Sequence, residues 1–331
     1  MPEFFLNRYE VVLANRYFLR ELTESIVLED SLDEIAYRAS IKLVVTPDFQ
    51  KIGIAPGQEM RVSGIPFGGS GMVYLLHPGV VWECRSATRG QKHIEVTVYD
   101  KAIYLAKTED EYLLPAGQTA SQRLERYASD WEIDLGQVED TGIELAKAVY
   151  RSQPIFSMIL SDLRETVSKG GDMFRPRMTP NGLELVRLGG NSTVYVLEAD
   201  WNVEEIKQRR SLEGAVTQVK VMGNAPGNDR SPVLAIVTGQ TEKYGTLQKV
   251  FNDYRITDAG SAKTAGEKLL YGVRETVTVT GLDINTIRAG DKVKLNAIEF
   301  FVTSVRHELG APGRMTLELA ESDYVRRYYS G

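Results

Sequence analysis

The residues best suited to covalent chemistry are few: one cysteine, Cys84, and three histidines, His77, His93 and His307. A thiol with an imidazole base nearby is the usual nucleophile pattern. Cys84, however, follows Val80 and Trp82 at period two, which predicts a small core residue on a strand, with no exposed thiol. The histidines show neither an H-x-x-x-H nor a Cys-His spacing, so no metal centre is expected. His307 and Glu308 are neighbours on an expected strand and must face opposite sides, which prevents them from forming an acid-base pair. Gly68-Gly-Ser-Gly71 could offer backbone N–H groups to a phosphate, but no Lys-Ser/Thr follows and no helix is expected after it. It reads as a hairpin tip. Gly260 stands only three residues before Lys263, too close for a phosphate loop, and its segment is explained by a helix. The acidic run 109–111 reads as a solvated turn, and no glycosidase pair of carboxylates can be picked out. No catalytic residue, cofactor or metal is therefore assigned.

The elements around these residues set the fold class. Residues 9–15, 41–46 and 93–99 alternate as strands, with Ile94, Val96 and Val98 on one face. Between about 101 and 190 the period changes to that of helices. Leu124, Tyr127, Ala128 and Trp131 fall at i, i+3, i+4, i+7 behind a cap at Thr119 or Ser121. Ile155, Phe156, Ile159, Leu160, Leu163 and Val167 make a second stripe, started by Pro154 and stopped by Gly170-Gly171. A hairpin is expected at 173–188 around Asn181-Gly182. Strands then return at 217–222, 234–238, 275–280, 291–295, 299–303 and 315–319, suggesting a barrel or sandwich interrupted by one helix at about 261–271. Residues 224–232 read as an exposed loop.

Composition removes several classes. Thirty-nine Lys plus Arg against 45 Asp plus Glu, a net charge of −6, argues against a general nucleic-acid coat. A chain with 43% hydrophobic and 25% charged residues matches an ordinary globular protein, and 331 residues suffice for two or three domains. One cysteine allows no internal disulfide. The uncharged run 62–82 is long enough to span a bilayer, but five glycines and two prolines break it, so strand, glycine loop and strand is expected in place of a membrane span. Glu3, Arg8 and Glu10 interrupt any signal core, so no leader is expected and synthesis in a bacterial cytoplasm is. Two β regions, at 93–100 and 274–281, correspond only faintly, which leaves duplication open.

The order of motifs is more telling. Residues 94–101, 119–128, 157–163 and 210–223, then 275–281, 289–295 and 300–306, resemble the XkdQ/YqbQ-type hub proteins of contractile phage tails and their wider relatives, the late control protein D group. The resemblance covers nearly the whole chain, and its motifs are structural. It implies a mainly β fold with an α+β insertion: two β-barrel tube-type domains, 1–105 and 191–331, separated by a helical or α+β segment at 106–190. It further implies a non-enzymatic homotrimer whose six barrel units adapt a six-fold tail tube to a three-fold spike. The expected partners are the tail tube protein or tube initiator, the central spike protein and the baseplate wedge proteins, in a virion or tail-like particle, with no sequence-specific nucleic acid and no membrane insertion. Phage, defective prophage and bacteriocin particles remain open. A tail-associated peptidoglycan hydrolase and a carbohydrate-binding β module are the alternatives; the latter needs an aromatic platform, and Trp82, Trp131 and Trp201 are dispersed. The interface candidates are Phe67, Gly68, Gly69 and Gly71 in the neutral loop, and Arg326, Arg327, Tyr328 and Tyr329 in the Tyr/Arg tail.

Overall fold

Alternating residues at 23–31, 38–44 and 91–100 build three adjacent strands of the largest sheet. Ile26 and Leu28, Ile41 and Leu43, and Val96 and Val98 are buried, while the residues between them face outward. The computed structural model describes residues 8–89, 91–223, 231–252 and 256–329; residues 224–230 of the loop expected at 224–232 lie outside this set. The chain divides into two compact units, residues 1–207 with 278–330 and residues 208–277. The class is mainly β, with several sheets and few helices, as the sequence reading expects.

In the first unit one large sheet dominates. Strand Ile298–Leu309 pairs with Arg314–Ala320 on one side and with Thr23–Ser31 on the other, from Ser304↔Ser31 to Leu309↔Ile26. Strands from the beginning and the end of the chain are therefore neighbours in one sheet. The order continues through Arg38–Val44 and Gln91–Asp100 to Gly79–Arg89 at the edge. A four-stranded sheet built on Tyr9–Leu13 and Met60–Gly64 packs over it, and Tyr9, Val11, Val62, Ile41 and Val96 share that core.

The middle of the chain fills a second core. Helix Ala120–Asp130 starts at Thr119, whose hydroxyl accepts from Gln122 N while the Gln122 side chain accepts from Thr119 N. Helix Ile155–Ser168 ends before Gly170 at φ +94°, a left-handed residue of the kind that closes helices. Strands Phe174–Thr179 and Gly182–Arg187 form the expected hairpin, with Pro180 and Asn181 as its two-residue turn. Pro176 is tolerated because its strand is an edge. Leu124, Tyr127, Ile159, Leu163, Phe174 and Leu185 pack together.

The second unit holds a three-stranded sheet. Gln218–Met222 lies between an antiparallel Val233–Thr238 and a parallel Gln248–Asn252. Helix Ala259–Leu269, capped by Asp258 through Ser261 N at 2.8 Å, lies on one face. Gly266 permits that approach: a Cβ there would stand 2.7 Å from Val237 Cγ2. The six strands expected after residue 191 do not share one sheet. Those at 218–222 and 233–238 belong here, and the later four belong to the large sheet.

Candidate interaction surfaces

The two groups of interface candidates take different positions. Phe67 to Gly71 sit in the turn between Met60–Gly64 and Val73–Leu76, an antiparallel pair, so the hairpin tip is where the sequence places it. The loop is anchored at its base by Asn285, whose Nδ2 donates to Ile65 O at 2.9 Å and whose Oδ1 accepts from Phe67 N at 3.1 Å. Gly69 N donates to Pro66 O, and Gly68 takes φ +73°, which a side chain would resist. Phe67 is half-buried, and everything from Gly68 to Tyr74 is exposed. Met72, Val73 and Tyr74 thus extend the neutral loop with apolar surface, although the sequence reading did not single them out.

The tail differs. Helix Ser322–Tyr328 turns Val325 and Tyr329 inward, and Tyr329, 1% exposed, belongs to the core of the middle segment. Its ring is therefore unavailable to a partner of the subunit, because a helical period places it on the same side as Val325. Arg326 Nη1 donates to Gly171 O at 3.1 Å, Arg327 is exposed, and the Tyr328 side chain lies outside the described residues.

The chemistry-bearing residues are committed elsewhere. A bulge at Trp82 shifts the register between Val81↔Val98 and Glu83↔Thr97, so the expected parity of Val80, Trp82 and Cys84 breaks. Val80 enters one core, Val81 and Cys84 face the other, and Trp82 is exposed. Cys84 is half-buried, and burial, helped by Glu83, pushes its thiol pKa up, which disfavours the thiolate. His93 lies opposite Ala87, three positions along the ladder from Cys84, and its Nδ1 faces Glu24 Oε2 at 3.1 Å. His307 is buried and Glu308 exposed, as their parity requires; Nε2 donates to Ile287 O at 2.8 Å and Nδ1 faces Asp283 Oδ1 at 2.6 Å.

Two buried ionic clusters were not foreseen. Asp30 receives Arg175 Nη2 at 3.0 Å, Arg288 Nε at 2.6 Å and Ala289 N at 3.2 Å. Burial would raise its pKa, but Arg175, Arg288 and Arg177 together hold the carboxyl well below its usual range. Arg288 also lies 3.7 Å from the centre of the Tyr37 ring. Nearby Asp100 accepts from Tyr37 N and Ala102 N, yet burial outweighs these bonds and pushes it up to about 7. In the second cluster Asp162 accepts from Arg123 Nη1 at 2.6 Å, Tyr127 OH at 3.0 Å and Tyr150 OH at 2.7 Å. Both signals were present in the sequence: Asp30 shares the inward parity of Ile26 and Leu28, and Arg123 and Asp162 fall on the apolar stripes of their helices.

A cleft of about 810 Å³ opens among Glu59, the His77-Pro78 turn, residues 101–108, residues 131–134, Ile155 and the 178–182 hairpin end. Tyr104 and Trp131, 45% and 41% exposed, line it, so two of the molecule's exposed aromatics meet in one site. Trp82 packs edge-on against Tyr104, with ring centres 6.2 Å apart. Among the described residues no cluster of His, Cys, Asp and Glu is suited to a metal, and no helix is long and apolar enough to cross a membrane.

The YQBQ-like family model matches residues 32–320. No curated protein matches the chain. Among solved structures it is similar to the 43 kDa tail protein of prophage MuSo2 from Shewanella oneidensis, with a TM-score of 0.71, 14% identity and coverage of 96% of this chain and 98% of that one. The tail protein from Neisseria meningitidis MC58 gives a TM-score of 0.67 at 15% identity, covering 95% and 96%. The E. coli c3393 protein, a type VI secretion component described as similar to the T4 tail proteins gp27 and gp5, gives 0.54 at 9% identity, covering 90% and 73%. At these identities the shared property is the fold.

Proposed function

Because the chain belongs to the YQBQ-like family, we propose that it is a structural baseplate hub protein of a contractile tail or tail-like particle, built into a trimeric ring that joins the tail tube to the central spike. The observation that carries this reading is the likeness, over nearly the full length of both chains, to the Shewanella and Neisseria tail proteins. In this reading residues 1–105 and 191–331 each contribute a barrel-type unit with 106–190 between them, and residues 208–277 are an insertion within the second. Three copies present six such units, enough to meet a six-fold tube on one side and a three-fold spike on the other.

The subunit has surfaces suited to this role. Strand Gly79–Arg89 is the last in the large sheet; Gly57 and Gln58 bond Val81 on its outer side, no strand pairs with it there beyond Val81 among the described residues, and a closed ring needs a heterologous contact of the kind such an edge can make. The exposed loop from Gly68 to Tyr74 is neutral and anchored, which suits a protein contact with tube, spike or wedge proteins. The reading is non-enzymatic: the thiol is disfavoured as a thiolate, and His307 is held by two buried bonds.

Light scattering on the purified protein, alone and mixed with its spike and tube partners, tests the assembly. A mass of three subunits, with a ring in electron micrographs, is the expected result. A single-subunit mass under every mixture, or clear lysis of purified cell walls, overturns the reading.

A further inference from the structure

We propose that the cleft between Tyr104 and Trp131 binds a cationic side chain, arginine or lysine, carried on a short segment of a partner protein. This goes beyond the hub reading and does not depend on the ring. The first argument is charge. Three of the lining residues are acidic, Glu59, Glu132 and Asp134, and one is basic, Lys101, although Glu59 Oε2 already accepts from Asn15 Nδ2 at 3.1 Å. His77 adds no opposing charge at neutral pH, because burial pushes its pKa down. An anionic ligand is therefore repelled.

The second argument is the aromatic lining. Guanidinium and ammonium groups are drawn to the negative face of an aromatic ring, and a guanidinium can also bond a carboxylate through two N–H groups at once. A cleft holding both kinds of partner meets both demands, and its volume leaves room for the residues flanking the cation.

The third argument is rigidity. Asp130, the residue before Trp131, accepts from the Tyr112 hydroxyl at 3.1 Å. Trp131 N also donates to Tyr127 O. The next residue, Glu132, is held at φ +51°, and Leu183 N donates to Asp134 O at 2.7 Å. Gly182 lets the hairpin close on this segment, since a Cβ there would stand 2.5 Å from Asp134 O. The backbone that carries Trp131, Glu132 and Asp134 is thus placed before any ligand arrives, which lowers the entropy lost on binding.

Calorimetric titration of the full chain tests the proposal with three probes: a capped peptide carrying two arginines, the same peptide carrying two glutamates, and a neutral N-acetylglucosamine oligomer. The arginine peptide should bind, more weakly as salt is added, and the glutamate peptide should not. Glu132→Gln and Asp134→Asn should each weaken binding a few-fold, and Trp131→Ala roughly tenfold, with the melting temperature checked for each. If Trp131→Ala fails to fold, the two charge-removing variants decide. Equal binding of both peptides, salt-independent binding of the sugar alone, or unchanged affinity in the charge-removing variants overturns the proposal.

Discussion

Asp30 and Asp162 are both buried carboxylates beside arginines, yet their environments act in opposite directions. Asp30 faces two guanidiniums and a backbone N–H, and its charge is held far more firmly than in water. Asp162 faces one guanidinium and two phenols, and burial, the largest influence on it, raises its pKa. The balance of positive charge decides the outcome. The two also differ in reach: Asp30 is bonded by residues 145 and 258 positions away, whereas Arg123 is only 39 positions from Asp162. One cluster ties the two ends of the first unit to its middle, and the other stiffens the middle alone.

The largest expected effect is at the far-reaching cluster. Arg175→Met leaves Asp30 with a single guanidinium in a dry site and should cost about 3–5 kcal/mol in urea unfolding. A loss under roughly 1 kcal/mol would mean that this cluster does not hold the ends together. Asp162→Asn should cost less, about 2–3 kcal/mol, because two of its partners are neutral phenols that keep an acceptor. Replacing Arg123 and Asp162 together, by Met and Leu, should recover part of that loss, since no charge is then stranded.

A pH titration separates the two kinds of acid further. Asp100 is raised to about 7, so between about pH 4 and 7 the folded state holds a proton that the unfolded chain has released, and stability falls as pH rises. The slope should approach roughly 1.4 kcal/mol per pH unit and vanish in Asp100→Asn. Asp30 acts with the opposite sign: its contribution is fully present above the unfolded value near 3.8 and is lost only as pH falls towards its lower folded value. Urea midpoints at several pH values read both. The smallest effect is the exposed reference. Glu213, paired with Arg209 in solvent, should leave the midpoint unchanged when replaced by Ala.

Much of the fold was legible because local rules decide it. The helix start, at Thr119 in preference to Ser121, the Gly170 stop and the hairpin turn within 179–182 each rest on a few adjacent residues, and the structure places each at a position the sequence offers. The pairing of 298–309 with 23–31 was not legible, because period two says which face a strand buries and nothing about its neighbour. The bulge at Trp82 hid for a related reason: one extra residue reverses parity without any local signature. The exposed glycine loop followed from composition, whereas the placement of Tyr329 depends on the helix that ends beside it. The cleft brings together six chain segments and could not be read from any one of them.

The two-sided burial of two strands has a mechanical consequence. Strand Gly79–Arg89 sends Val80 into one core and Val81 into the other, and strand Ile298–Leu309 does the same with Phe301 and Leu309. Two rigid beams thus run through both compartments. Neither compartment can melt while the other keeps its shape, so heating the first unit should produce one sharp heat-absorption peak in place of two, and a load applied to either compartment is carried along the beams by both.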